Sequence, residues 1–331
     1  MTKDFRRLQQ LKSQDRKRPL FDSHLRNQQK SADEATPEVE AAWFRNMKWV
    51  MSELDWATNG TVLPLSGNGP FRFLDLGCCP GGFSSYILGK NDAAQGVGIS
   101  LPDGHNFLLE PEYRQRYTLI LEDLLRYRLS MAPWSSSTSL VDLPLELSSA
   151  FDLVILDGHP LRKQQERASR VGPRLLVAQL IIGLQSVRLG GSLVVKLANA
   201  KASDTQRVIY LLDALSQRLT LCKPVSMHAT RDTFYAVAQG LQIGGMCGNC
   251  RTEVRLDVVL ASLQHGYALL SSAGVSSRQS ALWDNICSQQ EMKKYAKRLD
   301  ELTAPVIRVQ CDALEGMLRE EVRDSSSPVA S

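Results

Sequence analysis

Two adjacent glycines follow a short apolar segment in the stretch FLDLGCCPGGFSSYIL, residues 73–88. A strand, a glycine-rich turn and a helix start, in that order, are typical of sheets with helices on both faces. In such sheets ligands bind beyond the carboxyl ends of the strands. Gly77, Gly81 and Gly82 lack side chains, so a ligand can approach the backbone, and the next helix adds the positive end of its dipole. A tight turn without a ligand is the alternative.

Apolar strands alternate with helices between residues 71 and 240. The predicted strands are FRFLDLG, AQGVGIS, YTLILED, FDLVILDG, SLVVKLA and FYAVAQG, and the predicted helices cover 81–90, 173–188 and 203–219. This alternation predicts the α/β class, with a doubly wound, Rossmann-like sheet of about seven mostly parallel strands. Three further stretches have helical patterns: 253–270, 281–303 and 311–322.

Three regions follow from this pattern. Residues 1–36 are rich in lysine and arginine and are expected to form a mobile basic arm, with nucleic-acid or ribosome binding as the alternative to a solvated tail. Thr36 and Pro37 resemble an N-cap followed by proline at the first helical position, so the main domain is expected to cover 37–240. Residues 241–331 are expected to form a helical extension with a polar tail.

Composition narrows the class of protein. The net charge is only +4, so any nucleic-acid affinity has to come from local basic patches. No apolar run is long enough for a membrane span, and the charged start lacks the apolar core of a secretion signal. The seven cysteines do not suggest a disulfide framework. We therefore expect an intracellular protein, cytoplasmic or nuclear. Cys247 and Cys250 form a C-x-x-C pair without a second pair, so no metal site is predicted.

The glycine turn favours one kind of ligand. It matches neither the G-x-G-x-x-G dinucleotide pattern nor the G-K-[S/T] ending of a phosphate loop. Asp75 can pair with an ammonium group, Asp123 can accept from an adenine amino group, and Ser100 lies where a ribose is expected. S-adenosyl-L-methionine has all three groups. The predicted cofactor site comprises Asp75, Gly77, Cys79, Pro80, Gly81, Gly82, Phe83, Ser100, Asp123 and Asp157.

An acid and a lysine end two of the apolar strands. Asp157 follows FDLVILD, and Lys196 lies in GGSLVVKLA. A lysine in such apolar surroundings costs free energy unless it has a charged partner or faces a cleft. Asp157 on a neighbouring strand is the expected partner. The pair is either catalytic, with Lys196 helping to deprotonate an alcohol, or a structural ion pair at the sheet edge.

These segments resemble the FtsJ-like ribose 2′-O-methyltransferases. FLDLGCCPGGFS, FDLVILDG, GGSLVVKLA and KPVSMHATRDTFYAV occur in the family's order over about residues 40–240. The resemblance implies S-adenosylmethionine-dependent methylation of a ribose 2′-OH in RNA by a Lys-Asp-Lys-Glu tetrad. It implies that Asp157 and Lys196 are the aspartate and the central lysine, and that Lys48 in FRNMKWV is the first lysine.

The chain departs from the family pattern at the fourth position. Thr233 stands where the family has glutamate, two residues before Tyr235, and Met227 and His228 replace the usual serine and arginine. Asp232 adjoins Thr233, but neighbouring strand residues point to opposite faces, so Asp232 requires a bulge to substitute. Two alternatives therefore stay open: a methyltransferase for a small molecule or protein, and a catalytically silent module that binds the cofactor or RNA.

A basic segment follows Asp157. Its sequence is GHPLRKQQERASRVGPR, and its cations are Arg162, Lys163, Arg167, Arg170 and Arg174. Cations beside a cleft are suited to RNA phosphates, and such binding weakens steeply with salt. A solvated loop is the alternative. The sequence does not determine the oligomeric state.

Overall fold

The structure, a computed structural model, describes residues 3–15, 36–63, 69–130, 140–160, 168–246, 253–271, 283 and 286–326. The strands of the main sheet are β1 Phe71–Leu76, β2 Ala94–Ser100, β3 Tyr117–Leu121, β4 Phe151–Leu156, β5 Val187–Ala198, β6 Ser216–Cys222 and β7 Thr233–Leu241. Their spatial order is β3-β2-β1-β4-β5-β7-β6, and β7 runs antiparallel to both neighbours while the other pairs are parallel. The predicted fold class, a mostly parallel, Rossmann-like sheet, is confirmed.

Helices cover both faces of this sheet. They are α1 Lys3–Asp15, α2 Pro37–Ala57, α3 Gly82–Lys90, α4 Ala168–Ser186, α5 Ser203–Leu215, α6 Val225–His228, α7 Leu256–Ser271 and α8 Gln289–Ser326. Helices α2 and α3 pack on one face, and α4, α5, α7 and α8 pack on the other. A short hairpin, β8 Gly244–Met246 and β9 Glu253–Arg255, precedes α7. In the described ranges, no helix has both the length and the apolarity that crossing a membrane requires.

The carboxyl ends of four strands meet at one edge of the sheet. Parallel register pairs Leu76 with both Ile99 and Leu156, and pairs Leu156 with Val195. The residues that follow, including Asp157, therefore lie side by side. Strand β7 starts at the same edge because it is antiparallel, and its register places Tyr235 opposite Lys196.

Two of the expected helix boundaries are wrong. The helix predicted over 203–219 ends at Leu215, and Ser216 starts strand β6. The alternating burial of Leu219 and Leu221 against β7 explains the change. Residues 289–303 and 311–322, from two separately predicted helices, are instead parts of one helix, α8, which contains Pro305. The buried residues after the proline hold the helix in place, although the proline has no N–H to donate.

Residues 3–15 of the expected mobile arm form α1, which packs along α8. Leu8 and Leu11 are buried against a cluster of α8 side chains. Arg7 adds ion pairs to Asp312 at 2.9 Å and Glu315 at 2.7 Å. The apolar spacing within this basic segment is what docks it. The rest of the arm lies outside the described residues.

Gly82 is required where α2 crosses the start of α3. A Cβ atom at this position would lie 2.6 Å from the Cβ atom of Met47. We expect Gly82→Ala to lower the free energy of unfolding by about 1–3 kcal/mol, because the two helices must separate. Gly316→Ala is the matched control, since a Cβ atom there meets nothing within 4 Å in α8. It should be neutral or stabilise by up to about 1 kcal/mol. Denaturant unfolding measures both, and equal stability of the two variants would contradict this packing.

Candidate active site

Protein atoms fill the space beside two glycines of the turn, Gly77 and Gly81. Gly77 has a φ of 81°, and a Cβ atom there would lie 2.5 Å from the Cα atom of Gly158. Gly81 has a φ of 106°, and a Cβ atom there would lie 2.9 Å from the ring of Phe107. Gly77 is needed because the loops after β1 and β4 touch, and Gly81 is needed because its positive φ and the ring of Phe107, in the loop after β2, leave no room for a side chain. The close approach shapes the floor of the pocket beside it.

Asp75 is a buried carboxyl with one oxygen unused. Its Oδ2 accepts a hydrogen bond from Ser84 Oγ at 2.8 Å, and Ser84 also contacts the hydroxyl of Tyr117 at 3.0 Å. Within the described chain, Oδ1 has no hydrogen-bond partner. Burial raises the pKa of Asp75 to about 8. A buried acid with an unused oxygen is suited to a cationic group such as the ammonium of S-adenosylmethionine. Asp75 has no exposed surface in this structure and lies behind the residues that line the pocket.

A pocket opens beyond the ends of β1, β2, β3 and β4. Its lining includes the predicted residues Gly77, Cys79, Ser100 and Asp123. Asp123 Oδ1 accepts from the backbone N–H of Leu125 at 2.9 Å, and so fixes the turn that forms one wall. The lining also includes Gly104, His105, Glu122, Gly158, His159 and Leu175, together with other apolar residues. Sequence reasoning missed Glu122 and His105, although Glu122 directly precedes Asp123 at a strand end.

Other predicted cofactor residues lie behind this pocket. Phe83 is fully buried, with its ring centroid 6.0 Å from that of Tyr235. Pro80 is also buried, and Gly82 packs against α2. These three residues shape the turn from beneath. Their contacts with protein atoms explain their presence in the motif.

The predicted pair of Lys196 and Asp157 is formed. Lys196 Nζ lies 3.3 Å from Asp157 Oδ2. Tyr235 donates its hydroxyl to Asp157 Oδ1 at 2.7 Å, and burial raises the pKa of Tyr235 well above its ordinary value. The Lys196 side chain is 21% exposed and that of Asp157 is 6% exposed. The lysine side chain is therefore partly open to solvent while its partner stays covered.

Gln179 holds the loop after Asp157. Its side-chain oxygen accepts from the backbone N–H of Gly158 at 2.8 Å, and its amide donates to the carbonyl of Gly158 at 3.0 Å. Sequence reasoning missed Gln179 and the role of Tyr235. A polar residue inside the apolar stretch of α4 was the available signal for Gln179.

Two histidines lie near Lys196. The positive charge of Lys196 is the main cause that lowers the pKa of His159 to about 4. Burial, followed by the charge of Lys196, lowers the pKa of His228 to about 3. Both rings are therefore neutral at pH 7. In the portion of the chain that is described, no three His, Cys, Asp or Glu side chains are grouped to hold a metal ion.

Lys48 has a different partner from the other two predicted catalytic residues. Its Nζ donates to Glu110 Oε1 at 2.9 Å, and Ser85 Oγ donates to the same oxygen at 2.9 Å. Lys48 lies on α2 directly behind the glycine turn, with its backbone close to Gly82. The structure does not bring Lys48 into contact with Asp157 or Lys196.

No bulge brings Asp232 into the position of the missing glutamate. Strand β7 pairs Thr233 with Ala198 in continuous register. Asp232 binds Lys12 of α1, and its Oδ1 accepts from Gln310 of α8 at 3.0 Å. Asp232 therefore belongs to the side of the sheet edge that faces α1 and α8.

Only part of the predicted basic segment is described. The described residues do not include Arg162, Lys163 and Arg167 of this segment, nor the side chain of Arg170. The C-x-x-C pair, Cys247 and Cys250, also lies outside them. Arg174 donates to the carbonyl of Leu125 at 3.2 Å and to the hydroxyl of Tyr267 at 3.4 Å. Its guanidinium therefore connects α4 with α7, which argues against a role in binding phosphate.

A seven-stranded sheet in this order, with an acid near the end of β1 and a lysine–aspartate pair at the ends of β4 and β5, is the arrangement of a Rossmann-like methyltransferase. A family model described as FtsJ-like methyltransferase matches residues 53–241, more than half of the chain. The protein therefore belongs to the FtsJ-like methyltransferase family.

Relatives with curated descriptions match part of the chain. It is 27% identical to the cap-specific mRNA (nucleoside-2'-O-)-methyltransferase 1 of Bos taurus and 26% identical to that of Homo sapiens, each over 192 residues. Each match covers 52% of this chain and only 22% of the relative. A solved structure described as a ribosomal RNA methyltransferase of Plasmodium falciparum is 20% identical, with a TM-score of 0.41. That match covers 59% of this chain and 96% of the other.

If Asp75 binds the ammonium of the cofactor, as the sequence predicts, we expect cofactor binding to depend on pH. With a pKa of about 8, its carboxyl is protonated at pH 7, and an ammonium group binds the ionised form better. We expect S-adenosylmethionine binding to release a proton near pH 7 and to tighten up to about tenfold between about pH 6 and pH 7. Calorimetric titration in buffers of different ionisation enthalpy measures the proton. Asp75→Asn, the near-isosteric control, should lose both effects. Binding without proton release would contradict this role.

Proposed function

We propose that this protein transfers a methyl group from S-adenosylmethionine to a ribose 2′-OH of RNA. The observation that carries the proposal is the ion pair between the partly exposed Lys196 and Asp157, the residue directly before Gly158 and His159 of the pocket lining. Membership of the FtsJ-like methyltransferase family supports the same reaction.

The cofactor residues of the proposal are those at the strand ends. The unused oxygen of Asp75 would bind the ammonium of S-adenosylmethionine, and Ser100 and Asp123 lie in the pocket where its ribose and adenine would bind. The bound cofactor supplies an electrophilic methyl group on a sulfonium sulfur. The acceptor would enter from the side of Lys196.

Lys196 acts on the acceptor oxygen. Its ammonium, held by Asp157, orients the 2′-OH and stabilises the negative charge that develops on oxygen as the hydroxyl proton is lost to solvent. Asp157 keeps that ammonium in place, and Tyr235 keeps Asp157 in place. Most of the rate enhancement comes from this positioning of the reacting atoms. We retain Lys48 as a third catalytic residue in the proposal, from the resemblance and from its place behind the turn.

RNA is the acceptor class that the relatives favour. The matched relatives are described as acting on mRNA at the cap, which makes capped RNA the first acceptor to test. Because the chain spans only 22% of their length, their whole activity is not transferred to it. Arg162, Lys163, Arg167 and Arg170, the other basic residues of the segment after Asp157, remain the proposed phosphate contacts.

Thr233 favours a second candidate function. Without the family glutamate, a protein on this fold can bind the cofactor and RNA without turnover. Cofactor and RNA binding without any methyl transfer to capped or uncapped RNA would show that the protein is a catalytically silent binding module.

Lys196→Ala tests the proposed reaction. We expect methyl transfer to RNA to fall by about 10²–10⁴-fold because the developing charge loses its ammonium. Cofactor binding should remain largely intact, since Lys196 lies on the acceptor side. Lys297→Ala, which removes an exposed lysine of α8, is the control and should retain activity. Transfer of labelled methyl to capped and uncapped RNA gives the readout. Full activity of Lys196→Ala would overturn the mechanism.

A further inference from the structure

Two tryptophans on α2 point into solvent. Trp49 is 63% exposed and Trp56 is 83% exposed, whereas the opposite face of the same helix, including Met51 and Leu54, is fully buried. Seven residues separate the tryptophans, so they lie on one face of the helix about 10 Å apart along its axis. Large aromatic side chains left in water do not stabilise the fold, and they commonly mark binding surfaces.

Arginines flank the tryptophans at both ends. Arg45 is exposed one turn before Trp49. Beyond the end of α2, the exposed Arg218 donates to Thr61 Oγ1 at 3.2 Å, which places its guanidinium beside the segment that follows the helix. We call Arg45, Trp49, Trp56 and Arg218 the tryptophan face. An alternation of cations and aromatic rings is typical of surfaces that bind single-stranded nucleic acid.

The acids along this face are engaged with helix starts. Glu53 lies between the two tryptophans, and its carboxylate accepts the backbone N–H groups of Val225 at 2.7 Å and Ser226 at 3.0 Å. Glu38, at the first turn of α2, has a lowered pKa because Thr36 hydrogen-bonds to it. The negative charge on the face is therefore partly compensated by hydrogen-bond donors, while the side chains of Arg45 and Arg218 are exposed.

The tryptophan face is connected to the candidate active site through helix α6. Trp49 directly follows Lys48 on α2. Helix α6, which Glu53 binds at its first residues, ends at His228, whose ring centroid is 5.9 Å from that of Tyr235. Tyr235 in turn binds Asp157. Helix α6 therefore connects the part of α2 between the two tryptophans with Tyr235 and Asp157.

We propose that the tryptophan face binds a single-stranded segment of the RNA acceptor, with bases stacked on Trp49 and Trp56 and phosphates on Arg45 and Arg218. The inference rests on the proposed function for the identity of the acceptor. Two rings that enclose one base would be about 7 Å apart, twice the stacking distance of about 3.4 Å, whereas the two tryptophan positions are about 10 Å apart along the helix axis. Each ring therefore holds a separate base of an unstacked strand. The flanking cations favour RNA over a second protein chain.

The test compares RNA binding by matched surface variants. Trp49→Ala/Trp56→Ala removes both rings, and Leu145→Ala/Leu189→Ala removes two exposed apolar side chains elsewhere, 86% and 55% exposed. Affinity for a fluorescent single-stranded RNA is measured by anisotropy. We expect the tryptophan double variant to bind at least about 25-fold more weakly and each single variant about fivefold or more. Trp49→Phe/Trp56→Phe should recover much of the loss because stacking persists. The leucine control should bind like the parent protein.

Each outcome separates this inference from the proposed function. Unchanged RNA affinity of the tryptophan double variant, with an unchanged thermal midpoint, overturns the inference and leaves the function standing. Altered self-association in sedimentation, with RNA affinity unchanged, also overturns it, because the face would then bind a second copy. If the parent protein binds RNA through the tryptophans without methyl transfer, the proposed function fails and the inference stands. If the parent protein binds no RNA, both fail.

Discussion

Both oxygens of the Asp157 carboxylate are taken by side chains from two other strands. Tyr235 of β7 and Lys196 of β5 bind them at 2.7 Å and 3.3 Å. A buried carboxylate is costly without such partners, and the two contacts offset that cost. They also connect the parallel part of the sheet to its antiparallel strand. The same arrangement that stabilises this edge therefore positions the partly exposed Lys196 side chain.

Two acids at neighbouring strand ends serve different purposes because their surroundings differ. Asp157 has two donors, one of them charged. Among the described residues, Asp75 has one hydrogen-bond donor, the hydroxyl of Ser84, and burial raises its pKa to about 8. Asp157 is therefore a carboxylate with hydrogen bonds to both oxygens that positions a lysine. Asp75 is a buried carboxyl with one oxygen that has no hydrogen-bond partner among the described residues. Such divergence between paired acids is a common basis for dividing roles in an active site.

The sequence alone identified Asp157 and Lys196 near the ends of apolar strands, because a charged side chain in apolar surroundings costs free energy unless it has a partner or a functional role. The Lys196–Asp157 pair follows from that argument. The roles of Tyr235 and Gln179 do not, since they depend on the antiparallel register of β7 and on where α4 crosses the loop after β4. Strand β6 was missed because its first residues continue the helical pattern of α5. Long-range packing decides each of these points, and local periodicity does not contain it.

Methyl transfer to matched RNA and DNA oligonucleotides, capped and uncapped, followed by mass spectrometry of the nucleosides, tests the proposed reaction. We predict that the labelled methyl group appears only in the RNA oligonucleotides and only as a 2′-O-methyl nucleoside. Equal labelling of the deoxyribose oligonucleotides, or methyl groups on the bases, would contradict it.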